Sequence, residues 1–161
     1  MIERIAATQQ GKLHGIPGRN ETVTVFKGVP YAKAPVGELR WREPQPPVAW
    51  SGIREAGTFG AIPVQTKGYF MSTAFEDLYL SEDCLYLNIW TPDVLGSAPV
   101  MVWFYGGAFQ GGCSSDPMFD GESFAGQGII VVTVNYRVGI MGNLAHPEMR
   151  SESPYGTSGN F

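Results

Sequence analysis

A run of small residues directly after an apolar segment is the part of this sequence best suited to chemistry. Residues 99–104 (PVMVWF) are almost wholly apolar, and Gly106, Gly107 and Ala108 follow closely. Small residues let the backbone turn sharply with its N–H groups exposed, and convergent N–H groups form a pocket for an anion. In acyl transfer such a pocket binds the oxyanion of the tetrahedral intermediate. The alternative is a tight turn between two strands, which is the preferred interpretation of an isolated Gly-Gly-Ala.

Three predicted strands would position this loop. Residues 85–90, 99–104 and 129–136 are rich in β-branched and aromatic residues. Their apolar runs are continuous rather than alternating, which predicts strands buried on both faces at the centre of a helix-covered sheet. The best helix candidate is short, over residues 122–125. The predicted fold class is therefore α/β, and central strands without a covering layer suggest that the rest of the fold lies beyond Phe161.

The first half of the chain has a different character. Residues 22–26 (TVTVF) are predicted to form a strand because of their β-branched content. Residues 29–66 contain many prolines, which forbid long helices. We expect an irregular surface layer there, pinned by Trp41 and Trp50. Residues 67–81 are predicted to be a flexible loop with one helical turn.

Composition excludes several classes of protein. The chain has 161 residues, which suits one domain or part of a larger one, and its net charge of −4 provides no basic patch for nucleic acid or anionic lipid. The longest apolar run, residues 128–134, is too short to span a membrane. Residues 1–4 (MIER) do not resemble a signal peptide, and Cys84 and Cys113 are too few for a disulfide scaffold. These features predict a cytoplasmic protein with reduced thiols.

Several motifs together resemble one known family. They are residues 26–32 (FKGVPYA), 35–41 (PVGELRW), 81–90 (SEDCLYLNIW), 103–109 (WFYGGAF) and 131–139 (VVTVNYRVG). In this order and spacing they resemble the type-B carboxylesterase and cholinesterase family. The resemblance implies an α/β-hydrolase fold, a mixed sheet with helices on both faces. The chain would be the N-terminal segment of a single such domain, spanning residues 1–161, closest in character to microbial carboxylesterases.

The resemblance also implies a reaction, and it implies which catalytic groups this chain would supply. Family members hydrolyse carboxylic esters with a serine, an acid and a histidine. By position, Gly107 and Ala108 would supply two oxyanion-hole N–H donors, and the residue after the nucleophile would supply a third. Nucleophile, acid and base would all lie in a C-terminal remainder, possibly a separate chain, so the enzyme would be active only with it. The alternative is a catalytically inert family member or fragment that acts as a binding or adhesion module.

Three charged residues receive structural roles from the resemblance. Arg40 and Glu82 lie where family members form a buried ion pair, which would fix the proline-rich layer against the strand over residues 85–90. Breaking such a pair is costly because it leaves a buried charge uncompensated. Arg137 is expected to be structural as well, with a partner beyond the chain end.

Aromatic and cysteine positions add two further expectations. Tyr105, Phe109 and Phe70 are candidates for lining the acyl or alcohol pocket, although each is more commonly a packing residue. Extracellular family members pair the cysteine at the Cys84 position with one upstream. Residues 59–65 (FGAIPVQ) contain no cysteine, so this disulfide is expected to be absent, which favours an intracellular microbial enzyme.

Ser123 resembles a catalytic nucleophile but is rejected. Residues 121–126 (GESFAG) approximate the Gly-x-Ser-x-Gly elbow, but Ser123 lacks the required spacing and has no long helix after it. A hydrolase triad runs serine, acid, histidine along the chain, whereas His14 and His146 are the only histidines and His14 precedes Ser123. Both histidines are expected to be surface or packing residues.

Partners and cofactors follow from these interpretations. The expected partners are a small-molecule carboxylic ester and the C-terminal remainder, with no nucleic acid and no membrane. Residues 106–108 lack the Gly-x-Gly-x-x-Gly spacing of dinucleotide sites, and no cofactor or metal is expected. A freestanding small domain is the third hypothesis, but three buried-type strands would then expose large apolar faces. We therefore expect residues 1–161 alone to be insoluble or partly unfolded.

Overall fold

The computed structural model describes residues 2–66 and 79–160, which fold around one mixed sheet. The strands are β1 (Ile5–Ala7), β2 (Lys12–His14), β3 (Ile16–Pro17), β4 (Thr24–Pro30), β5 (Ile53–Glu55), β6 (Ile62–Pro63), β7 (Leu80–Ser81), β8 (Tyr86–Thr91), β9 (Val100–Phe104) and β10 (Ile130–Val134). The α-helices are α1 (Glu122–Ala125), α2 (Gly139–Asn143) and α3 (Pro147–Glu152), with 3-10 turns at Gly37–Leu39 and Pro117–Phe119. Among these residues no helix has the length and hydropathy needed to cross a bilayer.

The central sheet has five strands in the order β3-β4-β8-β10-β9. β8 runs antiparallel to both β4 and β10, whereas β9 lies parallel to β10. This arrangement confirms the α/β fold class with a mixed sheet. The strands predicted over residues 85–90, 99–104 and 129–136 are confirmed as β8, β9 and β10, with ends that differ by one or two residues. The strand predicted over residues 22–26 begins later and runs further, as β4.

A bulge in β4 is tied to the segment that follows the glycine-rich loop. The register of β4 against β8 shifts between Phe26 and Val29. Gly28 lies in this bulge with φ 63°, and its N–H donates to Oδ1 of Asn88 at 3.0 Å. The Nδ2 group of Asn88 donates in turn to Oγ of Ser114 at 3.1 Å. Buried polar groups need such partners, and these bonds attach the loop segment around Ser114 to the sheet.

The sheet has an apolar core on each face. One cluster contains Val23, Val25, Trp90, Ala125 and Val131, so that α1 packs against β8 and β10. The other contains Leu13, Phe26, Val29 and Ala56, and brings the small sheet β1-β2-β5 against β4. Successive residues of a strand point to opposite faces, which explains why neighbours in β4 join different clusters. Full burial of a Val, Leu or Phe side chain in these clusters stabilises the fold by about 1.5–3 kcal/mol.

β9 is an edge strand of the described chain, and the burial on both faces that the sequence predicts is not reached within these residues. In the described chain β10 is its one strand neighbour. Val100, Trp103 and Phe104 are 59%, 42% and 63% exposed. The apolar run predicts the strand correctly, but burial also requires elements to pack against it. Met101 packs against the first apolar cluster, and the ring of Trp103 lies 5.5 Å from that of Phe119.

The proline-rich segment is mostly irregular and is held by two tryptophans, as predicted, although it also contains the short strands β5 and β6. Nε1 of Trp41 donates to the carbonyl of Ile140 at 2.9 Å, and Nε1 of Trp50 donates to the carbonyl of Lys12 at 2.8 Å. The flexible loop with a helical turn that was predicted over residues 67–81 lies mostly outside the described residues, and its last two residues form β7.

Helix α1 matches the predicted helix over residues 122–125, whereas α2 and α3 were not predicted. Both are too short to show apolar residues repeating at helical spacing. Helix α3 begins with Pro147 at its first position, where the missing N–H costs nothing. The ring of His146 caps it by accepting the N–H of Glu148 at 3.4 Å.

Candidate functional site

The glycine-rich loop over residues 105–113 has an unusual backbone at its tip. Gly107, Ala108 and Phe109 have φ angles of 143°, 52° and 60°. Only glycine enters this region freely, and an L-residue in the left-handed region costs roughly 1–2 kcal/mol. Such a conformation persists only where the surroundings hold it in place. Ala108, which is not a glycine, therefore occupies a strained position.

The two predicted donors lie side by side at this tip. Within the described chain, neither the Gly107 N–H nor the Ala108 N–H donates a hydrogen bond. The turn is closed from the other side, because the N–H of Gln110 donates to the Gly107 carbonyl at 2.9 Å. Successive N–H groups in such a turn form a concave anion-binding site. The arrangement can therefore bind a negatively charged oxygen.

The start of the loop is fixed by two tyrosines. The hydroxyl of Tyr136 donates to the Tyr105 carbonyl at 2.5 Å, and the hydroxyl of Tyr105 donates to the Tyr136 carbonyl at 3.1 Å. Their rings stack with centroids 4.4 Å apart. Tyr105 is only 2% exposed, and burial raises its pKa far above the ordinary value. The suggestion that Tyr105 lines a substrate pocket is wrong, since its ring packs inside the protein and supports the loop.

The tip of the loop is held by α2. The Phe109 carbonyl accepts the N–H of Gly139 at 2.6 Å and Nδ2 of Asn143 at 3.4 Å. The Phe109 side chain is 60% exposed, so it remains a candidate for lining a pocket. Phe70, the third aromatic candidate, lies outside the described residues.

The end of the loop is bound by Gln65, a residue that the sequence analysis did not single out. Its Oε1 accepts the N–H of Gly112 at 2.6 Å, and its Nε2 donates to the Gly112 carbonyl at 2.9 Å. One side-chain amide thus satisfies both backbone groups of one loop residue. No local pattern in the sequence marks this contact, because the two residues are 47 positions apart.

Residues 3–158 match the carboxylesterase family. The chain belongs to the carboxylesterase family. It is 47% identical over 156 residues to fumonisin B1 esterase of Sphingopyxis macrogoltabida, and 43% identical over 146 residues to para-nitrobenzyl esterase of Bacillus subtilis. These matches cover 96% and 89% of this chain. The resemblance to the type-B carboxylesterases is confirmed.

Solved carboxylesterase structures share the fold of this chain. A structure of para-nitrobenzyl esterase matches with a TM-score of 0.86 at 39% identity, over 98% of this chain. The carboxylesterase EST55 of Geobacillus stearothermophilus matches with a TM-score of 0.78 at 43% identity, over 96% of this chain. The chain spans 28% and 29% of the length of the two sequence relatives, and 32% and 30% of the two solved chains.

Arg40 and Glu82 of this carboxylesterase chain form the ion pair suggested by the sequence. Nε and Nη2 of Arg40 donate to the two carboxylate oxygens of Glu82 at 2.6 and 2.5 Å. The hydrogen bonds that Arg40 donates to Glu82, and then the charge of that carboxylate, raise the pKa of Arg40. Within the described chain the pair is not buried, because the two side chains are 43% and 24% exposed. In the described chain, the pair lies at the surface of the irregular layer, where water screens it.

Arg137 is structural, as expected, but it has a partner within the chain. It is 6% exposed, and its Nη2 donates to the Arg42 carbonyl at 2.9 Å. Burial lowers its pKa from the ordinary value. The guanidinium therefore ties the segment after β10 to the proline-rich layer.

Ser123 and the two histidines do not form a catalytic pair in the described chain. Ser123 is an exposed residue of the four-residue helix α1. Nδ1 of His14 lies 2.8 Å from the Glu55 carboxylate, and the His146 ring caps α3. These positions confirm that both histidines are surface residues and support the rejection of Ser123.

Neither cysteine has the environment of a reactive thiol. Cys84 and Cys113 are free and each is 1% exposed. Burial raises the pKa of Cys84 to about 12 and also raises that of Cys113. The reactive form is the thiolate, so both thiols are inert packing groups in this carboxylesterase chain. The predicted absence of a disulfide to Cys84 within the described chain is confirmed.

Proposed function

We propose that this chain supplies the oxyanion hole of a serine carboxylesterase that hydrolyses small-molecule carboxylic esters. The observation that carries the proposal is the pair of adjacent N–H groups of Gly107 and Ala108. In the described chain neither group has an acceptor, and the loop that presents them is fixed at its start, tip and end. Two of the relatives are bacterial esterases, and their names support ester hydrolysis as the reaction class.

In the proposed reaction, a serine hydroxyl adds to the carbonyl carbon of the ester while a histidine takes its proton. The carbonyl oxygen becomes an oxyanion and accepts hydrogen bonds from Gly107 and Ala108. Collapse of the intermediate expels the alcohol, which receives the proton from the histidine. Water then hydrolyses the acyl-serine in the same way. Each oxyanion donor contributes about 2.7–4 kcal/mol to lowering the barrier.

We further propose that residues 1–161 are the N-terminal segment of a single α/β-hydrolase domain. The nucleophile, acid and base, and the third oxyanion donor, would then come from a C-terminal remainder. The short span relative to the relatives supports this. The exposed apolar strand β9 supports it as well, because soluble proteins rarely leave large apolar patches uncovered.

Hydrolysis of p-nitrophenyl acetate by the full-length protein tests this function. We expect turnover that a serine-directed phosphonate abolishes with incorporation of one phosphonyl group per chain. A folded full-length protein without turnover and without phosphonylation would contradict the proposal, and would favour an inert family member that acts in binding.

A further inference from the structure

We infer that Gln65 is a positioning residue for the oxyanion hole. It would hold the end of the glycine-rich loop so that the N–H groups of Gly107 and Ala108 keep their direction. The inference rests on the proposed function, since it assigns Gln65 to the same site. It adds a residue that lies outside the loop and would not touch the substrate.

The side-chain amide of Gln65 pairs with both backbone groups of Gly112. Oε1 of Gln65 accepts the Gly112 N–H at 2.6 Å, while Nε2 donates to the Gly112 carbonyl at 2.9 Å and to the Pro63 carbonyl at 2.9 Å. A primary amide is the side-chain group that can both accept and donate in this way. The amide orientation is therefore fixed by three contacts, and Gly112 can move only if they break.

Gly112 packs on the beginning of the loop. Gly112 has φ 113°, and a β-carbon there would lie 2.5 Å from the Tyr105 ring and 3.0 Å from the Gly106 carbonyl oxygen. The end of the loop thus lies directly on its start. The Tyr105 ring cannot yield, because it is buried and stacked on Tyr136. Gln65 closes this contact from the other side.

Gly111 connects Gly112 to the proposed oxyanion donors, Gly107 and Ala108. The carbonyl oxygen of the preceding residue, Gly111, occupies the space in which a β-carbon on Gly107 would lie. The peptide between Gly111 and Gly112 is therefore in close contact with Gly107. If Gly112 loses its partner, this peptide can rotate, and the Gly107 and Ala108 N–H groups lose their support. A misplacement of about 1 Å in such a site costs about 10²-fold in rate.

Two variants of Gln65 and one matched control test the inference in the full-length protein. Gln65→Met keeps the length of the side chain and removes all three hydrogen bonds. Gln65→Glu keeps an acceptor for the Gly112 N–H but turns a carboxylate oxygen toward two carbonyl oxygens. Gln127→Met is the control, because the Gln127 amide also donates to a backbone carbonyl, that of Ser123 at 3.0 Å, but Gln127 is an exposed residue just after α1.

The kinetic measurement separates positioning from substrate binding. For Gln65→Met and Gln65→Glu we expect kcat to fall about 10–100-fold with KM changed by less than about threefold. The reason is that the oxyanion is absent from the bound substrate and forms only as the reaction approaches the tetrahedral intermediate. Affinity for a trifluoromethyl ketone, which forms a tetrahedral adduct, should fall by the same factor as kcat/KM. Gln127→Met should match the wild type. Unchanged kcat in folded Gln65→Met, or a loss confined to KM, would overturn the inference.

Hydrogen exchange decides the inference even if the full-length protein hydrolyses no ester. In Gln65→Met we expect the amide of Gln110, which is bonded to the Gly107 carbonyl in the loop, to exchange about tenfold faster than in the wild type, with the melting temperature of the whole protein little changed. Equal exchange of the Gln110 amide in wild type, Gln65→Met and Gln127→Met would overturn the inference. Absence of turnover in the wild type would contradict only the proposed function.

Discussion

The backbone carbonyl of Gly111 fills the space in which a β-carbon on Gly107 would lie. Gly107 also has φ 143°, a conformation that L-residues rarely adopt. Two independent constraints therefore require glycine at the first proposed oxyanion donor. The tight fit also means that any residue larger than glycine must displace the loop that carries both donors.

Replacement of Gly107 by alanine should therefore abolish most of the activity. We expect kcat of the full-length enzyme to fall about 10²–10³-fold, the effect of losing one oxyanion donor. Gly52→Ala is the control, since Gly52 also has a positive φ, 74°, but has no atom within 4 Å of the added carbon. Wild-type kcat in both variants, or an equal loss of activity in both, would contradict the assignment of Gly107 as an oxyanion donor.

The pairing of Arg40 with Glu82 should behave as a surface ion pair. Because the two side chains are 43% and 24% exposed, we expect a small coupling free energy in a double-mutant cycle of Arg40→Ala and Glu82→Ala. Raising NaCl to about 1 M should shrink it further by screening. The measurement is urea unfolding of the four proteins at low and high salt. A large coupling that salt leaves unchanged would show that the pair is buried in the complete protein.

The carboxylate of Glu122 should make stability depend on pH. Burial alone would raise its pKa, but the N–H of Asn20 and the guanidinium of Arg19 outweigh this and hold the pKa below the ordinary value of 4.5. A depressed carboxyl pKa contributes stability that is fully present above the unfolded-state pKa and is lost as pH falls through the folded-state value.

The wild type should therefore lose more unfolding free energy than Glu122→Gln as the pH falls below about 5. Glu38→Gln, in the exposed 3-10 turn, serves as the control and should keep the wild-type slope. Urea unfolding at several pH values measures the effect. Parallel pH profiles of the wild type and Glu122→Gln would count against the assigned contacts of Glu122.

The exposed face of β9 should make residues 1–161 unstable in isolation. Val100 and Phe104 leave more than half of their surface in contact with solvent, and an uncovered apolar edge strand favours association. Expressed alone, residues 1–161 should aggregate or bind a hydrophobic dye, and co-expression with the C-terminal remainder should suppress both. A monodisperse monomer of residues 1–161 that melts cooperatively would refute this expectation.

The central strands were predictable from the sequence because their signal is local. β8 and β10 coincide with runs of β-branched and apolar residues, and these residues favour strands wherever they pack. Helices α2 and α3 were not predicted, because five or six residues do not display a helical period. The exposure of β9 was not predictable either, since it depends on which elements lie beside the strand.

The candidate site was only partly predictable for the same reason. Gly107 and Ala108 were found because small residues after an apolar strand form a local pattern that also matches a family motif. The role of Tyr105 as a buried support depends on its contact with Tyr136, and the bond of Gln65 to Gly112 joins distant parts of the chain. Tertiary contacts of this kind leave no signal in a single sequence.

A crystal structure of the full-length protein with a bound phosphonate tests the central claim most directly. The phosphonyl oxygen mimics the oxyanion of the tetrahedral intermediate. The account predicts that this oxygen lies about 2.7–3.1 Å from the backbone nitrogens of both Gly107 and Ala108. A phosphonyl oxygen that is bound by other donors, with Gly107 and Ala108 turned away from it, would contradict the assignment of this loop as the oxyanion hole.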